Sequence, residues 1–167
     1  MILFGFVSSL LLLAFSAFNT IPSRKGNSET LSKDGETVTA SRGNLKLSMS
    51  IDADEYKTGQ QMNVSLKLSN EEESKVELEF STSQVFDFRI IDGVGKEVYV
   101  WSSGRFFLQV IRRIPLKADQ TFEEKLTYVI NLQPGNYAII GMTVNFLTEA
   151  GQSVILETTP VLFTVSL

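Results

Sequence analysis

The strongest constraint in this sequence is an apolar residue at every second position, a pattern that starts near residue 45 and recurs along the chain. It is clearest in residues 45–51, 62–68, 76–80, 86–90 and 98–100, where Ser, Lys, Asn, Glu and other polar residues occupy most of the alternate positions. A period of two puts one set of side chains on one face of a strand. Strands with one packed face and one wetted face are typical of antiparallel sheets.

Turn-forming residues separate these runs. Residues 57–60, 70–74 and 92–96 are polar or rich in glycine, and Pro134-Gly135 precedes another apolar run. Short strands with turns at this spacing indicate a sandwich or a barrel. We therefore predict an all-β domain over residues 44–167 and expect Leu66, Phe86, Phe88 and Ile139 to lie inside it.

The segment 121–130 fits two kinds of secondary structure. Thr121 to Glu124 has the form of a helix capping box, and the apolar residues that follow can be placed on one helical face. The same residues also alternate. We predict a strand, because residues 127–130 (Thr-Tyr-Val-Ile) favour strands.

The N-terminal part differs from the rest in composition. Residues 1–18 carry no charge and are mostly apolar, which predicts a secretory signal peptide or, as the alternative, a retained N-terminal membrane anchor. Ala14-Phe15-Ser16 would suit cleavage of a signal. Residues 19–43 are polar and predict a flexible spacer. The protein is thus expected to be exported, secreted or displayed at the cell surface, with the N-terminus its sole membrane contact.

Composition excludes several classes of function. The chain has no cysteine and no histidine, so it can form no disulfide, no thiolate or imidazole metal site and no Ser-His-Asp triad. A net charge of −4 without a basic stripe argues against binding to nucleic acid. We predict a protein that is not an enzyme and needs no cofactor or metal.

The acidic clusters do not change this prediction. Residues 52–55 (Asp-Ala-Asp-Glu) resemble part of a calcium loop but lack its glycine and its ligand spacing. Glu77 and Glu79 would need an opposed position across a cleft for glycosidase chemistry. We therefore expect residues 52–55 to form a solvated turn, and Glu77 and Glu79 to lie on the solvated face of a strand.

Residues 98–101 (Val-Tyr-Val-Trp) are apolar throughout, which predicts a strand buried on both faces. Tyr99 and Trp101 would then pack in the core. An exposed aromatic recognition patch is the alternative.

Several segments, in order, resemble the intracellular proteinase inhibitor (BsuPI) family. They are residues 55–60, 64–70, 86–92, 95–102, 107–109 and 132–137. The resemblance implies an immunoglobulin-like antiparallel β-sandwich that inhibits serine endopeptidases. The chain departs from the family pattern at residues 116–120, where a Pro-Gly turn is usual, and in its export signal, since an exported copy cannot act on cytoplasmic proteases.

The resemblance supplies no reactive-site residues, so the inhibitory loop is predicted from the residues themselves, directly after the strand at residues 98–101. It comprises Ser102, Ser103, Gly104 and Arg105, and an exposed arginine there would suit the pocket of a trypsin-like protease. We predict that Arg105 enters that pocket, with ordinary solvation of the loop as the alternative. The partner is expected to be a protein, with a serine protease the leading candidate. The alternative function is a cell-surface interaction or matrix module without inhibitory activity.

Overall fold

The computed structural model describes residues 37–167, and all regular secondary structure in this part of the chain is β. The predicted signal or anchor at 1–18 and most of the predicted spacer lie outside the described residues. Within the described part, no helix is long and apolar enough to span a membrane. The strands are β1 Thr37–Arg42, β2 Leu45–Ile51, β3 Glu55–Lys57, β4 Gln61–Asn70, β5 Val76–Phe80, β6 Phe86–Asp92, β7 Glu97–Val100, β8 Arg112–Leu116, β9 Thr121–Val129, β10 Gly135–Thr143, β11 Phe146–Thr148, β12 Ser153–Val154 and β13 Val161–Ser166.

The strands form three hydrogen-bonded sheets with the orders β1-β2-β4-β9, β3-β13-β10-β6-β7 and β12-β11-β5-β8. Every strand pairing is antiparallel except that between β3 and β13. The second sheet leads into the third through the β5–β6 and β10–β11 connections, where the Val144 N–H donates to the Val85 carbonyl at 2.9 Å. These two sheets together cover the first, which gives the sandwich its two layers.

The alternating side chains meet between the layers. The predicted core residues Leu66, Phe86, Phe88 and Ile139 are all buried. The ring of Phe86 stacks on Phe122 of β9 with 5.8 Å between ring centroids, which joins the second sheet to the first. The prediction of an all-β, immunoglobulin-like antiparallel sandwich is confirmed.

The segment 121–130 resolves as a strand for most of its length. Strand β9 pairs with β4 from Thr121 to Val129, so the alternation decided its structure and the capping-box pattern did not. A long antiparallel neighbour satisfies its backbone groups and buries Leu126 and Tyr128 on the core side.

The first sheet begins earlier than the predicted domain boundary near residue 44. Strand β1 pairs with β2 along its whole length, through a tight connection in which Gly43 has a φ of +61°. Val38 is buried against the core. Residues 37–42 of the predicted spacer are therefore part of the sandwich. Pairing with β2 satisfies the hydrogen-bonding groups of their backbone and orders a segment whose polar side chains alone would not order it.

The acidic turn at residues 52–55 is held by hydrogen bonds within the protein. The Asp52 carboxylate accepts from the Tyr56 hydroxyl at 2.7 Å and from the Asn63 N–H at 3.0 Å. Burial alone would raise the pKa of Asp52, but these hydrogen bonds outweigh it and lower that pKa below its usual value. The described residues contain no cluster of acidic side chains suited to a metal ion.

The two layers approach each other closely at Gly141 of β10. A Cβ added there would lie 2.6 Å from Leu66 Cδ2 and 2.7 Å from Met49 Sδ, which is closer than carbon and sulfur atoms pack. The absence of a side chain at this position lets β10 lie directly over β2 and β4.

Gly141→Ala is therefore expected to lower the free energy of unfolding by about 1–3 kcal/mol, the usual cost of overpacking a core. Urea unfolding followed by tryptophan fluorescence measures this change. The matched control is Gly93→Ala, since a Cβ at that turn position would meet one atom at an ordinary 3.7 Å. Equal stabilities for the two variants would contradict the close approach of the sheets.

Candidate functional site

The predicted residues Ser102 to Arg105 form a tight turn directly after β7. The Ser103 N–H donates to the Val100 carbonyl at 3.1 Å, and the Arg105 N–H donates to the Ser102 carbonyl at 3.0 Å. Gly104 has a φ of +75°, a conformation that favours glycine. The turn reverses the chain and starts a longer loop, residues 101–111, that we call the β7–β8 loop.

The prediction that residues 98–101 are buried on both faces is wrong. Strand β7 is an edge strand that pairs with β6 alone, and the side chain of Val98 is 39% exposed. Successive side chains of a strand point to opposite faces. Since Tyr99 packs on β9, Val98 lies on the outer face of the sandwich, in contact with water.

The aromatic side chains of this region pack as the core interpretation expects. Tyr99 stacks on Tyr128 of β9 at 4.1 Å between centroids, and Trp101 lies 6.4 Å from Phe88. The Trp101 Nε1 donates to the Thr127 carbonyl at 3.2 Å, which ties the edge to the opposite layer. Burial raises the pKa of the Tyr128 hydroxyl above its usual value.

Arg105 lies back along the loop. Its guanidinium carbon is 4.3 Å from the centroid of the Trp101 ring, and its Nε donates to the Trp101 carbonyl at 2.7 Å. A cation over an indole face gains a favourable electrostatic contact. The structure thus places Arg105 beside Trp101, and its entry into a protease pocket stays a prediction.

The most conspicuous feature of the β7–β8 loop is a group of exposed apolar side chains that the sequence analysis did not single out. Phe106 is fully exposed at 102%, Leu108 is 70% exposed, Ile111 62% and Val110 50%. A soluble protein rarely gathers large apolar side chains at one exposed place without a binding role. The available signal was the almost unbroken apolar run at residues 106–111, which follows a glycine turn and lacks regular alternation.

Hydrogen bonds hold the loop to the sandwich near its middle. The Leu108 N–H donates to Ser83 Oγ at 3.0 Å, and the Ser83 N–H donates to the Leu108 carbonyl at 2.9 Å. Phe107 turns inward, with its ring 5.9 Å from that of Trp101. Exposed apolar side chains therefore stand on a backbone that is fixed at neighbouring positions.

The two ends of the loop are also fixed. Before it, the Asp87 carboxylate accepts from the Ser102 N–H at 3.1 Å and from the Phe88 N–H at 2.8 Å. After it, Arg112 Nη1 donates to the Ser83 carbonyl at 2.8 Å and pairs with Glu124 at 3.1 Å. The loop therefore protrudes from the end of the second and third sheets, and hydrogen bonds and an ion pair fix it there.

Glu77 and Glu79, the other acidic pair considered above, lie on the third sheet beside Arg113. Glu79 pairs with Arg113 at 2.9 Å, and Glu77 lies 3.9 Å from the same side chain. Both carboxylates thus belong to surface ion pairs. The chemistry that the β7–β8 loop can offer is apolar contact area and free peptide groups, which suits binding to another protein.

Comparison with known protein families places the loop inside a domain that matches one family. The model of the family described as "BsuPI: Intracellular proteinase inhibitor" matches residues 49–145, a stretch that includes the whole β7–β8 loop. Comparison with curated protein sequences gives no match.

Solved structures show a likeness in fold. The C-terminal domain of Wzt is similar with a TM-score of 0.50 and 13% sequence identity, over 81% of this chain and 80% of that one. The putative ApaA protein from Bordetella pertussis is similar with a TM-score of 0.45 and 12% identity, over 80% of this chain and 96% of that one. At such identities the likeness to the Wzt domain shows the architecture and nothing about activity.

The contacts of Arg105 and Phe107 with the Trp101 ring give a first prediction for this site. Trp101→Ala removes the ring on which Arg105 and Phe107 rest, so exchange of the hydrogen-bonded amides of Arg105 and Leu108 is expected to rise at least about tenfold. Hydrogen–deuterium exchange with mass spectrometry measures it. Trp101→Phe, which keeps an aromatic platform, serves as the control and should exchange more slowly than the alanine variant. Wild-type exchange in Trp101→Ala would show that the platform does not hold the loop.

Proposed function

Because this chain belongs to the BsuPI family of intracellular proteinase inhibitors, we propose that it inhibits a serine endopeptidase by placing the β7–β8 loop in the active-site cleft. The observation that supports this use of the loop is its combination of exposed apolar side chains and a braced backbone. Phe106 and Leu108 face water, whereas Arg105 and Phe107 rest on Trp101. The protein acts by binding and performs no catalysis of its own.

The brace has an energetic consequence for binding. A flexible loop loses conformational entropy when a partner orders it, at about 0.5–1.5 kcal/mol for each immobilised side chain. The Ser83, Asp87 and Arg112 contacts order the loop before the partner arrives. A larger share of the contact free energy is then available as binding affinity. If the protease cleaved the loop, these contacts would still hold its two new ends in place.

An inhibitor interface is larger than the tip of one loop. Protease–inhibitor complexes bury about 800 Å² on each partner, which needs more than one loop tip. The exposed side chains of Leu108, Val110 and Ile111 follow Phe106 in the same loop and can enlarge the contact.

We propose further that the protein is exported. Residues 1–18, which are uncharged and mostly apolar, support this. The target would then be a protease outside the cytoplasm, despite the intracellular role in the description of the family.

The inhibitory function is tested by titrating serine proteases with the full chain. We expect a stoichiometric loss of protease activity. The triple variant Phe106→Ser/Leu108→Ser/Ile111→Ser should bind at least about 100-fold more weakly, since truncation of central apolar anchors costs most of an interface's energy. Wild-type protein that is steadily digested, or that leaves every protease active, would instead support the interaction-module alternative.

Val94→Ser is the matched control for this titration. Val94 is 89% exposed and lies in the hairpin turn at the opposite end of β7 from the loop. This variant removes an exposed apolar side chain without touching the proposed contact, so its inhibition constant should equal that of the wild type. A parallel loss in both variants would show that general surface hydrophobicity, and not the loop, governs binding.

Export is tested by the mass of the protein recovered outside the cytoplasm of the native host. Cleavage after Ser16 predicts a mature chain that begins at Ala17. An intact chain in the membrane fraction would support the anchor, and an intact chain in the cytoplasm would contradict export.

A further inference from the structure

We propose that Phe106 is the side chain that enters the primary specificity pocket of the target protease, and that the target therefore accepts large aromatic residues. This inference rests on the proposed inhibitory function. Phe106 is 102% exposed, the highest value among the large apolar residues of the described chain. A phenyl ring held wholly in water is the group in this loop that gains most from transfer into an apolar pocket.

The conformation of its neighbours distinguishes Phe106 from every other residue of the loop. Arg105 and Phe107, one position before and one after, both rest on the ring of Trp101. Leu108 is hydrogen-bonded to Ser83 through both its N–H and its carbonyl. Side chains alternate inward and outward along an extended segment, so Phe106 is presented outward from a backbone that is fixed on either side.

The peptide groups of Phe106 agree with this role. In the described part of the chain, neither its N–H nor its carbonyl takes part in a backbone hydrogen bond outside the strands. They are thus available to pair with an extended segment of a partner, which is how a peptide adds to a sheet edge. A substrate-like segment needs free backbone groups beside an outward anchor, and residue 106 has both.

Arg105 is less suited to the pocket than the sequence analysis predicted. To extend into a partner, its side chain would have to leave the Trp101 ring and break the 2.7 Å hydrogen bond from Nε to the Trp101 carbonyl. Both interactions would be lost on binding. We therefore assign Arg105 as a positioning residue that holds the turn under Phe106.

The two assignments predict different proteases. Chymotrypsin has a hydrophobic slot for the primary side chain, whereas trypsin has an acidic pocket that pairs with arginine. If Phe106 is the anchor, wild-type protein inhibits chymotrypsin much more strongly than trypsin. If Arg105 is the anchor, the order is reversed.

The experiment measures inhibition constants of the full chain for chymotrypsin and trypsin. Phe106→Ala is expected to weaken inhibition of chymotrypsin at least about 100-fold, the effect of truncating a hot-spot aromatic. Arg105→Ala should weaken it less than about tenfold and increase exchange of the hydrogen-bonded amides at positions 105 and 108, as a positioning residue would. Phe106→Arg should create inhibition of trypsin.

The folded state of Phe106→Ala is checked by its thermal midpoint, which should match that of the wild type because the side chain is fully exposed. Slow cleavage provides a second readout. Prolonged incubation with chymotrypsin should hydrolyse the Phe106–Phe107 peptide bond, with one water consumed, a carboxylate formed on Phe106 and an amine on Phe107. Mass spectrometry locates that bond.

The outcomes separate this inference from the function on which it rests. Inhibition of chymotrypsin that is unchanged in Phe106→Ala, or inhibition of trypsin that disappears in Arg105→Ala, would overturn the assignment of Phe106 and leave the inhibitory function intact. Wild-type protein that inhibits neither enzyme nor any other serine protease would overturn both. Binding to anionic phospholipid vesicles that requires Phe106, without any inhibition, would also overturn both and identify the loop as a membrane contact.

Discussion

The direct contact of β10 with β2 and β4 at Gly141 is the constraint on which the rest of the molecule depends. Space for a Cβ does not exist there, since Leu66 and Met49 already fill it. This contact brings the two layers close enough for the alternating side chains of both to fill one interior, and the chain has no cysteine that could add a disulfide. A domain of this size can reach adequate stability from such burial alone. Because the core supplies the stability, the sequence of the loops can be adapted to binding.

The interior is also coupled to the β7–β8 loop through Trp101. Its ring lies beside Phe88 on one side and supports Phe107 and Arg105 on the other. Packing in the core therefore fixes the position of the Trp101 ring, and contacts with this ring fix the loop. Asp87 adds to this coupling, because its carboxylate joins the N–H groups of Phe88 and Ser102. The order of the loop is a consequence of the order of strand β6.

The sequence was sufficient for the sheets and insufficient for the loop, for a physical reason. Alternation is local, so residues 45–51 or 62–68 reveal their buried face without knowledge of any partner strand. The exposure of Phe106 is not local. The apolar composition of residues 106–111 is typical of a buried strand. Most of their side chains are exposed to water, because no strand of the described part of the chain pairs with them. Val98 was misassigned for a similar reason, since the sequence of a short apolar strand does not show which of its two faces another layer covers.

Arg105 shows a second limit of sequence reasoning. An arginine after a glycine turn is exposed in most loops, and its charge alone suggests a pocket of opposite charge. Its contact with Trp101, four residues earlier, depends on the turn at Gly104 bringing the two side chains together. Once that contact is known, the guanidinium of Arg105 has partners within the loop, and the side chain without a contact partner is the phenyl ring beside it. Exposed apolar surface carries a cost in solubility. An acidic protein with a net charge of −4 tolerates that cost in one braced loop, and such an arrangement has a physical benefit only when a partner covers the ring.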